Sequence, residues 1–141
     1  MPNIPEDVLI IEDDVQIARL VAAEMSKIWP VSSTSYHFMP NLQRALDFLA
    51  VFTPDFIMLD LNLPDSEGLA TLQAILNVPH MQSIPIVVMS GYITDMEGLQ
   101  ALHHGAADYI VKGSKANTLL TVAKAWARHC GHVLSSDVHP S

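Results

Sequence analysis

What constrains this chain most is an alternation repeated along it: a short run of apolar residues, then a longer stretch in which apolar residues recur every three or four positions. Runs of four to six residues that are almost wholly aliphatic are too short for helices and read as strands buried on both faces. Residues 8–11, 56–59 and 84–89 are of this kind, and 109–111 is a shorter example. Residues 31–38, richer in Ser, Thr and aromatics, predict a less buried edge strand. The intervening segments carry helical spacing. Ile17, Ala18, Val21, Met25 and Ile28 share a face that ends at Trp29-Pro30, residues 41–52 form a second helix, and Leu69, Leu72 and Leu76 mark a third after a turn and cap at Pro64-Asp65-Ser66. Residues 95–104 form a fourth, closed by Gly105 where a left-handed residue commonly stops a helix, and 117–130 a fifth, with Leu119, Val122, Ala123 and Trp126 spaced for burial. Strand and helix alternating in this way predict an α/β fold, a parallel sheet covered by helices on both faces. From Gly131 the chain is polar and without periodicity, so one domain is expected over residues 5–130 and a flexible tail over 131–141.

A length of 141 residues suits a single core, and a chain that is 50% hydrophobic and 16% charged has the balance of a globular protein rather than a disordered one. The formal charge of -8 argues against direct contact with nucleic acid or with anionic lipid, since both would be repelled. Cys130 is the only cysteine, so no internal disulfide can form. The first residues hold prolines and acids where a signal peptide would be basic and then apolar, and no apolar run approaches a membrane span, so a cytoplasmic location is expected.

In an open parallel sheet, binding sites lie beyond the C-terminal ends of the strands. That rule selects Glu12, Asp13 and Asp14 after the first strand, Asp60 after the third, Ser90 after the fourth and Lys112 after the fifth. Carboxylates gathered at one edge repel one another unless a cation neutralises them, and hard oxygen ligands favour Mg2+. Asp60 is then placed to attack an electrophilic phosphorus, with Lys112 supplying positive charge and the Ser90 hydroxyl a hydrogen bond to the transferred group's oxygens. Taken singly, Asp13 and Asp14 could equally be caps of the first helix.

The set as a whole resembles the receiver domain of two-component response regulators from Asp7 to about Cys130. The resemblance is carried by Ile11-Glu12-Asp13-Asp14, by Asp60 with Leu63-Pro64 and Gly68 after it, by Ser90-Gly91 and by Asp108-Tyr109-Ile110-Val111-Lys112. It implies a doubly wound, flavodoxin-like sheet of strand order 2-1-3-4-5. It implies phosphorylation of Asp60 by a histidine kinase or histidine phosphotransfer protein, with self-catalysed gain and loss of the phosphoryl group rather than conventional enzyme turnover. It implies Mg2+ held by Asp14 and Asp60 directly, by Asp13 largely through water and by the backbone carbonyl of Asn62. Ser90 and Tyr109 match the family's conformational switch pair. Output is expected through the fourth helix, fifth strand and fifth helix to a separate protein target, and the phosphoryl donor is expected beside Leu20, Ala22 and Ala23 of the first helix. One position departs from the family: Gly113 stands where a cis proline is usual, so a trans bond and a different loop path are expected there.

Other functions fit less well. A phosphohydrolase with an aspartyl nucleophile calls for an acid two residues later, where Asn62 stands, and a flavin-binding module calls for a phosphate cradle where Glu12-Asp13-Asp14 would repel the ligand. The remaining alternative is a receiver-like docking module that binds partners without phosphorylation. His129 and His132 flank Cys130 closely enough to trap a soft metal, although the end of a helix explains them as well.

Overall fold

A computed structural model describes residues 4–91, 95–112 and 115–137. Five parallel strands form one sheet: β1 (Asp7–Ile11), β2 (Ser35–Met39), β3 (Phe56–Asp60), β4 (Ile86–Ser90) and β5 (Asp108–Val111). Their spatial order is β2-β1-β3-β4-β5, the doubly wound arrangement expected. The helices are α1 (Val15–Met25), α2 (Leu42–Leu49), α3 (Leu69–Leu76), α4 (Asp95–His103) and α5 (Lys115–Asp137). Among the described residues no helix is long and apolar enough to cross a membrane.

Alternating side chains divide the interior into two layers, because successive residues of a strand point to opposite faces. Leu9, Ile11, Ile57, Leu59, Ile86 and Val88 pack with Ala45 and Leu49 of α2, Leu72 and Ile75 of α3 and Ala101 of α4. Val8, Ile10, Phe56, Met58, Val87 and Met89 pack with Ala18 and Met25 of α1 and with Val122 and Ala125 of α5. Every residue of β3 and β4 is buried, which is why their apolar runs are unbroken. Trp29 lies inside the second layer, its ring 5.1 Å from Phe56 and 6.0 Å from Trp126 in edge-on contacts.

Several boundaries differ from the sequence expectation. Residues 31–34 form a turn rather than the start of β2: the Pro30 carbonyl accepts hydrogen bonds from the Ser33 and Thr34 amides, and pairing with β1 begins at Ser35. Helix α1 closes at Met25, four residues short of the expected end at Trp29, which is instead a core residue. Helix α5 continues through Gly131 to Asp137 instead of ending at Cys130, since one glycine lowers helix stability without breaking the hydrogen-bond ladder. Gly105 does adopt a positive φ of 117° after α4.

The segment 64–66 was expected to cap α3, and it does something else. Asn62–Leu63 and Ser66–Glu67 pair as a small antiparallel hairpin, and α3 starts at Leu69 with Gly68 in the N-cap position and no side-chain cap. Asp65, at the hairpin tip, instead accepts from the amides of Leu42 (2.9 Å) and Gln43 (3.0 Å), closing the N-terminus of α2. Those backbone bonds hold its carboxyl below the usual range. Asp65→Ala should therefore loosen two elements at once. In native-state hydrogen exchange, protection of the Leu42 and Gln43 amides should fall about fivefold or more, with α5 unaffected; unchanged protection there would refute the clamp.

Candidate active site

The C-terminal ends of β1, β3 and β5 meet at one edge of the sheet. Strand β3 pairs with β1 on one side and with β4 on the other, so Asp60 emerges between them, opposite Met89. Beyond β4, the Lys112 amide donates to the Ser90 carbonyl at 2.8 Å, which brings the end of β5 to the same edge. Asp60 is fully buried; its Oδ1 accepts from the Asn62 amide at 2.9 Å and its Oδ2 from Lys112 Nζ at 2.8 Å. The same ammonium lies 2.7 Å from Glu12 Oε1. That second approach is an ion pair outside hydrogen-bonding angles, for Oε1 is buried and takes no hydrogen bond among the described residues.

Carboxylate oxygens of Glu12, Asp13 and Asp60 lie within 4.8 Å of one another. Three carboxylates against one ammonium leave two negative charges uncompensated when all are ionised, and the donor set is hard oxygen throughout. That composition fits a small divalent cation such as Mg2+. Burial pushes Glu12 up to about 7, against the opposing pull of Lys112 and of the Asp14 amide, with Asp60 adding to the rise. Burial works against the Lys112 charge, but the hydrogen bond to Asp60 and the ion pair with Glu12 prevail and hold its pKa above the ordinary lysine value.

Asp14, expected in this group, is elsewhere. It is the N-cap of α1, where its Oδ1 accepts from the amides of Gln16 (2.9 Å) and Ile17 (3.2 Å). Glu12 takes its place: it follows the last core residue of β1 directly, whereas Asp14 immediately precedes the first residue of the helix. An acid in that position favours the helix start. The capping alternative weighed from sequence thus holds for Asp14 and not for Asp13, which joins the acidic group.

Ser90 is buried at the end of β4, and its Oγ accepts from Asn62 Nδ2 at 2.9 Å. Asn62 therefore touches both expected partners, Asp60 through its amide and Ser90 through its side chain. Tyr109, opposite Val88, packs at the margin of the layer shared with α2, α3 and α4, and its ring lies against Gly98 of α4. The expectation for Gly113 falls outside the described residues.

Comparison with known proteins identifies the family of the chain. A profile described as the response regulator receiver domain matches residues 8–124. Response regulator ArlR of Staphylococcus saprophyticus is 31% identical over 121 residues, covering 86% of this chain and 52% of that protein. Protein RcaC of Microchaete diplosiphon is 30% identical over 133 residues, covering 89% of this chain but 20% of that one. The chain thus spans about half the length, or less, of these relatives. Among solved structures, the BeF3-activated N-terminal receiver domain of Klebsiella pneumoniae RstA matches with a TM-score of 0.68 at 27% identity, covering 84% of this chain and 96% of that one.

Proposed function

Because this chain belongs to the response regulator receiver domain family, we propose that Asp60 accepts a phosphoryl group from a histidine kinase or histidine phosphotransfer protein, in a Mg2+-dependent reaction whose outcome is a change of surface. The observation that carries this reading is the buried Asp60 carboxylate at the sheet edge, bonded to Lys112 and grouped with Glu12 and Asp13.

The side chains have distinct parts. An Asp60 oxygen forms the new bond to phosphorus as the donor's bond to phosphorus breaks, and the donor's imidazole departs with the electron pair. Lys112 then turns its ammonium from Asp60 toward the phosphoryl oxygens, giving a charge-assisted hydrogen bond. Ser90, whose Oγ accepts from Asn62 Nδ2, is proposed to turn its hydroxyl toward one of those oxygens as a donor. Glu12, Asp13, Asp60 and the Asn62 backbone carbonyl are the groups that would hold the cation, and Asp14 remains the cap of α1. Held by these groups, Mg2+ would screen the Asp60 carboxylate from the charge of the incoming phosphoryl group.

Ser90 and Tyr109 are the proposed switch pair, biasing an equilibrium between arrangements of α4, β5 and α5. The donor is proposed to dock at α1, where Leu20 and Ala23 are exposed. A separate downstream protein target is proposed, as family membership supports. Direct nucleic-acid contact is not proposed for this domain, whose charge is -8; in a relative such as ArlR the remaining length is free to supply other activities.

The test is direct. With Mg2+ and a small acyl phosphate, intact mass should show one added phosphoryl group that is absent in Asp60→Asn and absent in excess EDTA. An unmodified wild type at saturating acyl phosphate would sink the proposal and leave the docking module, which rests on Gly113, as the better reading.

A further inference from the structure

The Tyr109 ring occupies a place that α4 leaves open by having no side chain there. Gly98 is a buried residue in the interior of α4, and a Cβ added to it would come within 2.6 Å of Tyr109 Cε1 and Cε2 and closer still to Cζ. Real Cβ atoms do not approach other atoms so closely, so the far half of the ring fills the volume that any other residue would claim. Glycine is disfavoured in a helix interior relative to alanine, and α4 carries it against the aromatic ring of β5. Tyr109 is three residues before Lys112, whose ammonium bonds Asp60. The outer surface of the same helix presents Met96, Leu99 and Leu102, all exposed.

We propose that Gly98 is a positioning residue for signal output: its bare backbone is the seat of the Tyr109 ring, and occupation of that seat sets how α4 lies on the sheet. A change at Asp60 reaches β5 through Lys112, the ring leaves or tightens into the seat, and the exposed apolar surface of α4 moves with it. This deepens the phosphoacceptor reading and rests on it for the trigger, while the seat itself is a property of the unphosphorylated protein.

The experiment uses the full chain with fluorotyrosine incorporated at its three tyrosines, the Tyr109 resonance being assigned from Tyr109→Phe. In Gly98→Ala the Tyr109 fluorine signal should shift toward the value of the free amino acid and stop responding to acyl phosphate with Mg2+, while intact mass still records the phosphoryl group. Thermal unfolding provides a second measurement. Gly98→Ala should raise Tm in a Tyr109→Ala background, where only helix propensity acts, and should fail to raise it when the ring is present. A Tyr109 signal identical in Gly98→Ala and wild type, or an equal rise in Tm in both backgrounds, overturns the seat. A wild type that gains no phosphoryl mass overturns the trigger, and the unphosphorylated fluorine spectra then judge the seat separately.

Discussion

Lys112→Met should lower the stability of the protein by about 3 kcal/mol at pH 8, the lower end of the range for breaking a buried ion pair by removing one partner. The lower end applies because the Lys112 side chain keeps 18% of its exposure, whereas the Glu12 and Asp60 side chains have none. Without the ammonium, two fully buried carboxylates face each other together with Asp13, and the cheapest relief is protonation of one of them. The deficit should therefore shrink as pH falls toward about 7, because loss of the ammonium carries the Glu12 carboxyl above the value that burial has already given it, and it protonates earlier in the variant than in the wild type. Adding Mg2+ should recover part of it at pH 8, because binding to the folded state alone stabilises that state. Urea unfolding at pH 8 and pH 6, with and without the ion, measures all three effects. A midpoint that does not move in Lys112→Met would mean that solvent already screens the three carboxylates.

The second large effect concerns cation affinity. A carboxyl must lose its proton to act as a ligand, and Glu12 stands at about 7 rather than at its ordinary 4.5. Below pH 7 apparent Mg2+ affinity should fall about tenfold per pH unit, with one proton released for each ion bound. The sign for folding runs the other way. A raised carboxyl contributes stability that is fully present below pH 4.5 and lost as pH rises through about 7, so Glu12 becomes a better ligand over the same range in which its buried charge becomes a liability to folding. Glu12→Gln should bind Mg2+ more weakly at pH 8 and with little pH dependence between 6 and 8. Isothermal titration in two buffers of different ionisation enthalpy counts the released protons. A flat wild-type profile over that range would assign the proton-linked step to neither Glu12 nor the acidic group as a whole.

The parts of the molecule that were legible in the sequence are those where one physical effect dominates. Strands β3 and β4 are buried on both faces, so nothing interrupts their apolar runs, and their ends locate Asp60 and Ser90 without ambiguity. The assignment of Asp14 failed because three consecutive acids after β1 offer two registers. Burial of Glu12 costs enough to make it look unsuitable until the ammonium of Lys112, a hundred residues later, is placed beside it. The N-cap rule separates the two registers: Asp14 precedes the first helical residue, Val15, and its carboxylate is used there. Asp65 was hidden for a different reason, since the α2 amides that it caps are more than twenty residues away in sequence. The early start expected for β2 follows the Ser, Thr and aromatic content of residues 31–38, but propensity yields to the turn bonds made by the Pro30 carbonyl. Gly98 carries no periodic signal at all, and its significance depends on a ring delivered by another element.

The placement of the aromatic residues has a practical consequence for optical work. Both tryptophans of the chain, Trp29 and Trp126, lie in the layer beneath α1 and α5, stacked edge-on with Phe56. Tyr109 and Gly98 meet across the sheet from them. Indole emission will therefore follow melting of the whole molecule and events on the α1 and α5 side, yet stay nearly blind to a tilt of α4. An unchanged fluorescence spectrum on phosphorylation would be no sign of an inert domain, and a dye or fluorine label on the α4 side is needed to see it respond.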